Sequence, residues 1–138
     1  MLSSQIKDKL HALPTPFYLY DTALLRRTLD EVSSISSSYG YTVHYALKAN
    51  FEPRIVGEMK RYGLGVDCVS GNEVRFAIEL GFAPSSIVFA GVGKSDSEIE
   101  YGLSQGILAF NCESREEVQV INDIAARMGK TATLALRI

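Results

Sequence analysis

The sequence predicts an α/β fold, a partial (β/α)8 TIM barrel in which about five parallel strands are surrounded by outer helices. Two recurring signals predict it. Glycine follows a helical pattern and precedes an apolar run at Gly40, Gly63, Gly81, Gly106 and Gly129. Expected helix starts carry the capping-box pattern of serine and a glutamate three residues later: Ser70 with Glu73, Ser95 with Glu98, and Ser114 with Glu117. These starts and stops alternate in phase, which indicates a strand–helix repeat of roughly 20–25 residues that suits such a barrel.

The predicted strands are short apolar runs over roughly 41–48, 64–69, 86–91, 107–111 and 132–138. Among the helices between them, Asp21 is expected to cap the first, and Pro53 suits the first turn of the second. Strands separated by helices run parallel, because a hairpin cannot join them. A closed barrel needs eight strands within about 250 residues. We therefore expect residues 21–138 to be the amino-terminal part of a barrel in a longer protein; a self-contained open α/β sheet is the alternative.

Residues 1–20 stand apart from this repeat. The segment Pro14-Thr15-Pro16 interrupts a first helical stretch, and Phe17-Tyr18-Leu19-Tyr20 has the composition of a short strand. No helix precedes that strand in phase with the others. We expect it to pair outside the barrel.

Composition favours a packed cytoplasmic domain. The 138 residues are 46% hydrophobic and 22% charged, and the formal net charge is -2. Without a basic stripe there is no case for binding nucleic acid or an anionic membrane. The amino terminus lacks the apolar stretch of a secretory signal, and no apolar run reaches the ~20 residues of a membrane helix. Cys68 and Cys112 are expected to be buried, reduced and structural.

Lys48 is the leading candidate for chemistry. Strand alternation places Val43, Tyr45 and Leu47 toward the helices, so Lys48 is expected to point into the barrel with small Ala46 beneath it. A lysine amine there can form an imine with a carbonyl compound. The alternative is an ordinary solvated lysine at a strand end.

The same alternation predicts that Asp67 and Arg137 face the barrel interior near the ends of their strands. An aspartate beside a lysine would hold the amine in position, and an arginine would balance a phosphate or carboxylate. His44 is expected to be a hydrogen-bonded structural histidine, and no metal site is predicted, because no second histidine or cysteine stands at metal-ligand spacing. Gly91-Val92-Gly93-Lys94-Ser95 is interpreted as a strand-to-helix loop capped by Ser95, since Val88 replaces the first glycine of a phosphate loop.

Several segments in order resemble the fold-type III pyridoxal-phosphate decarboxylases, whose barrel is of the alanine-racemase-like type. The lysine segment alone fits that whole superfamily. The valine-serine-glycine and glycine-lysine-serine segments are similar to its diaminopimelate decarboxylase branch, and Asn72 departs from the second glycine common there. The segments are Thr15-Pro16-Phe17-Tyr18-Leu19-Tyr20-Asp21, Tyr45-Ala46-Leu47-Lys48-Ala49-Asn50, Gly65-Val66-Asp67-Cys68-Val69-Ser70-Gly71-Asn72-Glu73, Gly91-Val92-Gly93-Lys94-Ser95, Phe110-Asn111-Cys112-Glu113-Ser114 and Leu136-Arg137-Ile138.

The resemblance implies a lyase of lysine biosynthesis that uses pyridoxal 5'-phosphate to decarboxylate meso-2,6-diaminopimelate to L-lysine and CO2. By it, Lys48 carries the cofactor, and Ala46, Asp67 and Arg137 line its pocket. It also implies a homodimer, and a carboxyl-terminal β domain with which the strand of residues 1–20 would pair. Other site groups of the family lie beyond Ile138, so this chain alone is expected to be inactive.

Three alternatives stay open. An ornithine- or arginine-type decarboxylase or an amino-acid racemase would share the fold, a non-catalytic protein would bind pyridoxal phosphate through Lys48, and a purely structural half-barrel would bind no ligand.

Overall fold

The computed structural model of the protein describes residues 4–138, so the first three residues of the expected 1–20 segment lie outside it. The elements are α1 (Ser4–His11), α2 (Thr22–Tyr39), β1 (His44–Ala46), α3 (Pro53–Arg61), β2 (Gly65–Cys68), α4 (Gly71–Glu79), β3 (Ile87–Phe89), α5 (Asp96–Gln105), β4 (Ala109–Cys112), α6 (Arg115–Arg127) and β5 (Leu134–Leu136). Two short 3-10 turns, Leu47–Ala49 and Pro84–Ser86, complete the chain. Within 4–138 no helix combines the length and apolarity needed to span a membrane.

The strands form one sheet in the order β1-β2-β3-β4-β5, and each neighbouring pair is parallel. This confirms the predicted α/β architecture of five parallel strands with helices between them. The sheet is open within the described residues, because β1 and β5 do not pair with each other.

The core lies between one face of this sheet and the helices. Val66, Cys68, Phe89 and Phe110 point to that side, and each is at most 2% exposed. They pack with helix residues at apolar spacing, such as Ile121, in one cluster. Burial of this apolar surface fixes strand register, since a shift by one residue would turn the whole set to the opposite face.

The predicted helix boundaries are largely confirmed. Asp21 accepts a hydrogen bond from Leu24 N at 3.0 Å, and Pro53 stands in the first turn of α3. The predicted helix stops all have positive φ, which glycine adopts without a Cβ penalty: Gly40, Gly63, Gly81, Gly106 and Gly129.

Two of the three capping boxes differ in one bond from the expectation. Ser70 and Ser114 accept from the amides of their glutamates as predicted. Glu73, however, accepts from Val69 N and Glu117 from Glu113 N, one residue before the serine. In both cases the carboxylate ties the end of the preceding strand to the helix start.

Phe17–Tyr20 forms no strand within residues 4–138, and its expected pairing outside the barrel stays a prediction. A strand needs a hydrogen-bonded neighbour, and residues 4–138 offer none to this segment. Tyr18 and Tyr20 instead stack on each other with ring centroids 6.4 Å apart.

Candidate functional site

Lys48 lies in the 3-10 turn Leu47–Ala49 that directly follows β1, and it is not part of the strand. The strand stops at Ala46, and Asn50 N donates to Leu47 O at 3.2 Å to close the 3-10 turn. Leu47 is fully buried in the core, as expected, while Lys48 is exposed. Strand alternation therefore does not fix the direction of Lys48, because alternation applies only to extended residues. That the Lys48 amine faces the barrel interior stays a prediction.

Two bonds to Asn50 brace this turn. Tyr45 Oη donates to Asn50 O at 3.1 Å, and Glu52 N donates to Asn50 Oδ1 at 2.9 Å. Burial raises the pKa of Tyr45, and the charge interaction with nearby Tyr20 raises it further. The Tyr45 hydroxyl therefore stays protonated and can donate. Sequence reasoning missed these braces, although an asparagine two residues before a backbone donor is a familiar turn signal.

A cavity of about 440 Å3 adjoins Lys48. Its wall joins the lysine turn to the aromatic segment before α2. The lining residues are Tyr18, Tyr20, Lys48, Ala49, Asn50, Phe51 and Glu52.

Asp67 and Arg137 meet in a second cavity, of about 350 Å3, at the carboxyl edge of the sheet. Its lining residues are Asp67, Ala90, Asn111, Glu113, Ala135, Leu136 and Arg137. Ala46 is the register partner of Asp67 on β1, so the two share a face. Arg137 Nη1 donates to Glu113 Oε1 at 3.2 Å. Of the four predicted site residues, Asp67 and Arg137 therefore line one cavity, Ala46 is the ladder neighbour of Asp67, and Lys48 lines the other cavity.

The interior face carries two buried polar atoms without a hydrogen-bond partner in the described chain, Asp67 Oδ1 and His44 Nε2. The expectation of a hydrogen-bonded His44 is therefore wrong at Nε2. Its ring lies over Gly65, where an added Cβ would stand 2.4 Å from His44 Cδ2. A buried carboxylate oxygen without a donor is costly, and it favours an additional donor or cation at this face.

These residues fit pyridoxal phosphate. The second cavity is within the roughly 300–1,000 Å3 typical of small-molecule sites. Arg137 would supply a guanidinium for a phosphate or carboxylate and Asp67 a carboxylate for a cationic nitrogen, and the small Ala90 and Ala135 line the same cavity.

The two thiols are buried in the core cluster. Burial, together with the charges of Glu73 and Asp67, raises the pKa of Cys68 to about 12. Burial also raises the pKa of Cys112. Both are free thiols held in their protonated, unreactive form, as predicted.

The loop before α5 holds a lysine that sequence reasoning underrated. The side chain of Lys94 is only 1% exposed, and its ammonium donates to Glu117 Oε1 at 2.6 Å. The sequence interpretation of a loop capped by Ser95 is confirmed, since Ser95 precedes α5.

Comparison with known proteins defines the class. The family described as "Pyridoxal-dependent decarboxylase, pyridoxal binding domain" matches residues 25–138. The chain belongs to this family of pyridoxal-dependent decarboxylases.

Individual relatives agree with that class. The chain is 50% identical over 132 residues to diaminopimelate decarboxylase of Bacteroides thetaiotaomicron, covering 95% of this chain and 34% of the relative. The crystal structure of diaminopimelate decarboxylase from Helicobacter pylori complexed with L-lysine superposes with a TM-score of 0.81 at 35% identity, over 96% of this chain and 34% of that one. The arginine decarboxylase of Paramecium bursaria Chlorella virus superposes with a TM-score of 0.82 at 25% identity, over 98% and 35%. The chain therefore spans about a third of the length of the curated relatives it matches.

Proposed function

We propose that this chain is the amino-terminal part of an enzyme that decarboxylates meso-2,6-diaminopimelate to L-lysine and CO2 with pyridoxal 5'-phosphate. The observation that carries the proposal is the cavity at the carboxyl edge of the sheet, which Asp67 and Arg137 both line; Ala46 is the ladder neighbour of Asp67. Membership of the pyridoxal-binding family and the 50% identity to a diaminopimelate decarboxylase support the choice of substrate.

Pyridoxal phosphate supplies an electron sink for the carbanion that forms when an amino acid loses its carboxylate. Lys48 would hold the cofactor covalently through its amine, and this residue is exposed on a turn that the Tyr45–Asn50 hydrogen bond braces. That brace limits where the amine reaches, which favours one productive geometry.

The other predicted residues would complete the pocket. Arg137 takes a phosphate or carboxylate group through its guanidinium. Asp67, with one buried oxygen still lacking a donor, accepts from a protonated nitrogen and stabilises its charge. Ala46, opposite Asp67 in the ladder, leaves space where a larger side chain would fill the pocket.

The remaining organisation follows from the same proposal. Residues 21–138 form the first part of the barrel, and residues 1–20 carry a segment that pairs with a carboxyl-terminal β domain. The enzyme is a cytoplasmic homodimer that takes a small amino-acid substrate. The open edges of the sheet make the 138-residue chain alone inactive, because its interior face stays accessible to water.

A substrate panel tests the proposal in the complete natural protein. Purified protein loaded with pyridoxal phosphate is incubated with meso-2,6-diaminopimelate, L-ornithine, L-arginine or L-alanine, and CO2, amine products and inversion are measured. The expected result is CO2 and L-lysine from diaminopimelate alone.

Other outcomes would replace it. CO2 from ornithine or arginine would assign the chain to a related decarboxylase, which the fold similarity to an arginine decarboxylase makes the nearest rival. Inversion without CO2 would indicate a racemase, and tight cofactor binding with no turnover of any substrate would indicate a non-catalytic binding protein.

A further inference from the structure

The buried lysine at position 94 is held by three acceptors at once. Its ammonium donates to Gly91 O at 2.8 Å, to Asn111 O at 2.7 Å and to Glu117 Oε1 at 2.6 Å. These bonds use all three donors of an ammonium group. The charge also stands 5.4 Å from the centre of the Phe89 ring. Its side chain is 1% exposed, and the three bonds leave the ammonium no donor for a ligand.

Its partner Glu117 also binds a second residue. Glu117 Oε2 accepts from Glu113 N at 2.7 Å, so one carboxylate joins the lysine to the residue that follows β4. Glu113 Oε1 then accepts from Arg137 Nη1 at 3.2 Å. A continuous series of polar contacts therefore runs from Lys94 through Glu117 and Glu113 to Arg137.

The end of this series lies in the cavity described above. Glu113 and Arg137 both line it, together with Asn111, whose carbonyl Lys94 also binds. Arg137 itself has a side chain that is 75% exposed, so little packing restrains it. Its position depends on Glu113, and the backbone of Glu113 depends on the buried ion pair.

We propose that Lys94 is a positioning residue that sets Arg137 for anion binding through Glu117 and Glu113. This inference rests on the proposed function for the role of the cavity. Without the ammonium, the carboxylate of Glu117 loses its buried partner and turns toward water, which releases the Glu113 amide. Arg137 then loses the carboxylate that holds its guanidinium at the cavity edge.

A double-mutant cycle on pyridoxal phosphate binding tests it in the complete protein. Lys94→Met keeps the stem and removes the charge, and it is expected to raise the Kd about tenfold, as loss of a residue that orients a binding group does. In the Arg137→Ala background the same substitution should change the Kd by no more than about twofold, which is within the usual tolerance of such cycles. A purely structural lysine would give equal factors in both backgrounds, and that result would overturn the proposal.

Lys130→Met is the matched control. Lys130 is a second lysine whose ammonium binds backbone carbonyls, Leu103 O at 2.9 Å and Ser104 O at 3.1 Å, and it follows the end of α6, away from the cavity. Its replacement is expected to lower stability and leave the Kd unchanged. Should Lys94→Met fail to fold, Glu117→Gln removes the same ion pair with little change of shape, and the cycle is run with that variant.

A cofactor-free readout separates this proposal from the proposed function. In the apoprotein, the Arg137 Nε–Hε NMR resonance is expected to shift in Lys94→Met and to stay in place in Lys130→Met. An unmoved resonance in Lys94→Met would overturn the positioning role. Failure of the wild-type protein to bind pyridoxal phosphate would overturn the proposed function, while the resonance would still decide whether Lys94 sets Arg137.

Discussion

Replacing Gly65 by alanine is expected to destabilise the protein, because the space for a side chain is already occupied. An added Cβ would stand 2.4 Å from His44 Cδ2, 2.6 Å from His44 Nε2 and 2.5 Å from Ser86 O. The histidine ring could rotate away, but the carbonyl belongs to the backbone of the 3-10 turn Pro84–Ser86, directly before β3. Overpacking of this kind costs about 1–3 kcal/mol, and the fixed carbonyl places the expected loss in the upper half of that range.

Gly57→Ala provides a control of opposite sign. Gly57 lies inside α3, and a Cβ added there would meet no atom within 4 Å. Alanine at this position is expected to stabilise the helix by about 0.5–1 kcal/mol, since glycine loses more backbone entropy on folding. The free energy of unfolding is measured for both variants by urea denaturation followed by circular dichroism.

The source of the Gly65 effect is checked with His44→Ala in the Gly65→Ala background. Removing the ring relieves two of the three close contacts but leaves Ser86 O, so stability should recover only in part. A Gly65→Ala protein as stable as wild type would refute the steric reasoning. Full recovery in the double variant would show that the backbone carbonyl plays no part.

Three further outcomes follow from hydrogen bonds and burial. Backbone amides of Ser95 and Gly71 lower the pKa of Glu98 from its usual 4.5. The stability that the Glu98 carboxylate contributes is therefore present above that pH and is lost as the pH falls through the lower folded pKa. Glu98→Gln should destabilise the protein at pH 7, and the difference in urea midpoint between variant and wild type should vanish in strong acid. Because burial raises the pKa of Cys68 to about 12, a thiol reagent at pH 8 should label it in urea but not in the native protein, and rapid native labelling would contradict the assigned burial. Tyr45→Phe removes the donor to Asn50 O and should cost about 0.5–1.5 kcal/mol in thermal unfolding experiments, whereas an unchanged stability would show that the brace on the Lys48 turn is dispensable.

Local signals carried much of the fold. The helix stops at Gly40 and Gly106 and the cap at Asp21 depend on residues close in sequence, which is why they could be predicted. Strand parity succeeded for Asp67, whose neighbours Val66 and Cys68 are fully buried on the opposite face. It does not apply to Lys48, because the strand ends two residues earlier and Lys48 lies in a 3-10 turn.

The parts that could not be predicted depend on contacts between distant segments. Lys94 is buried because Glu117, 23 residues later, and a carbonyl of β4 converge on its ammonium. Glu117 also accepts a hydrogen bond from Glu113 N, one residue before the N-cap serine. The serine-glutamate spacing alone does not specify this partner. The segment over Phe17–Tyr20 has strand composition, but composition does not supply the partner that a strand requires.

Covalent binding of the cofactor by Lys48 is the central claim, and it can be tested directly. The complete protein is incubated with pyridoxal phosphate, the lysine–cofactor linkage is reduced with borohydride, and the modified peptide is identified by mass spectrometry. We predict that the label is found on Lys48. In Lys48→Ala the label should be absent, and it should not appear on Lys94 or Lys130 instead. A stoichiometric label on another lysine, or none on Lys48, would contradict the assignment.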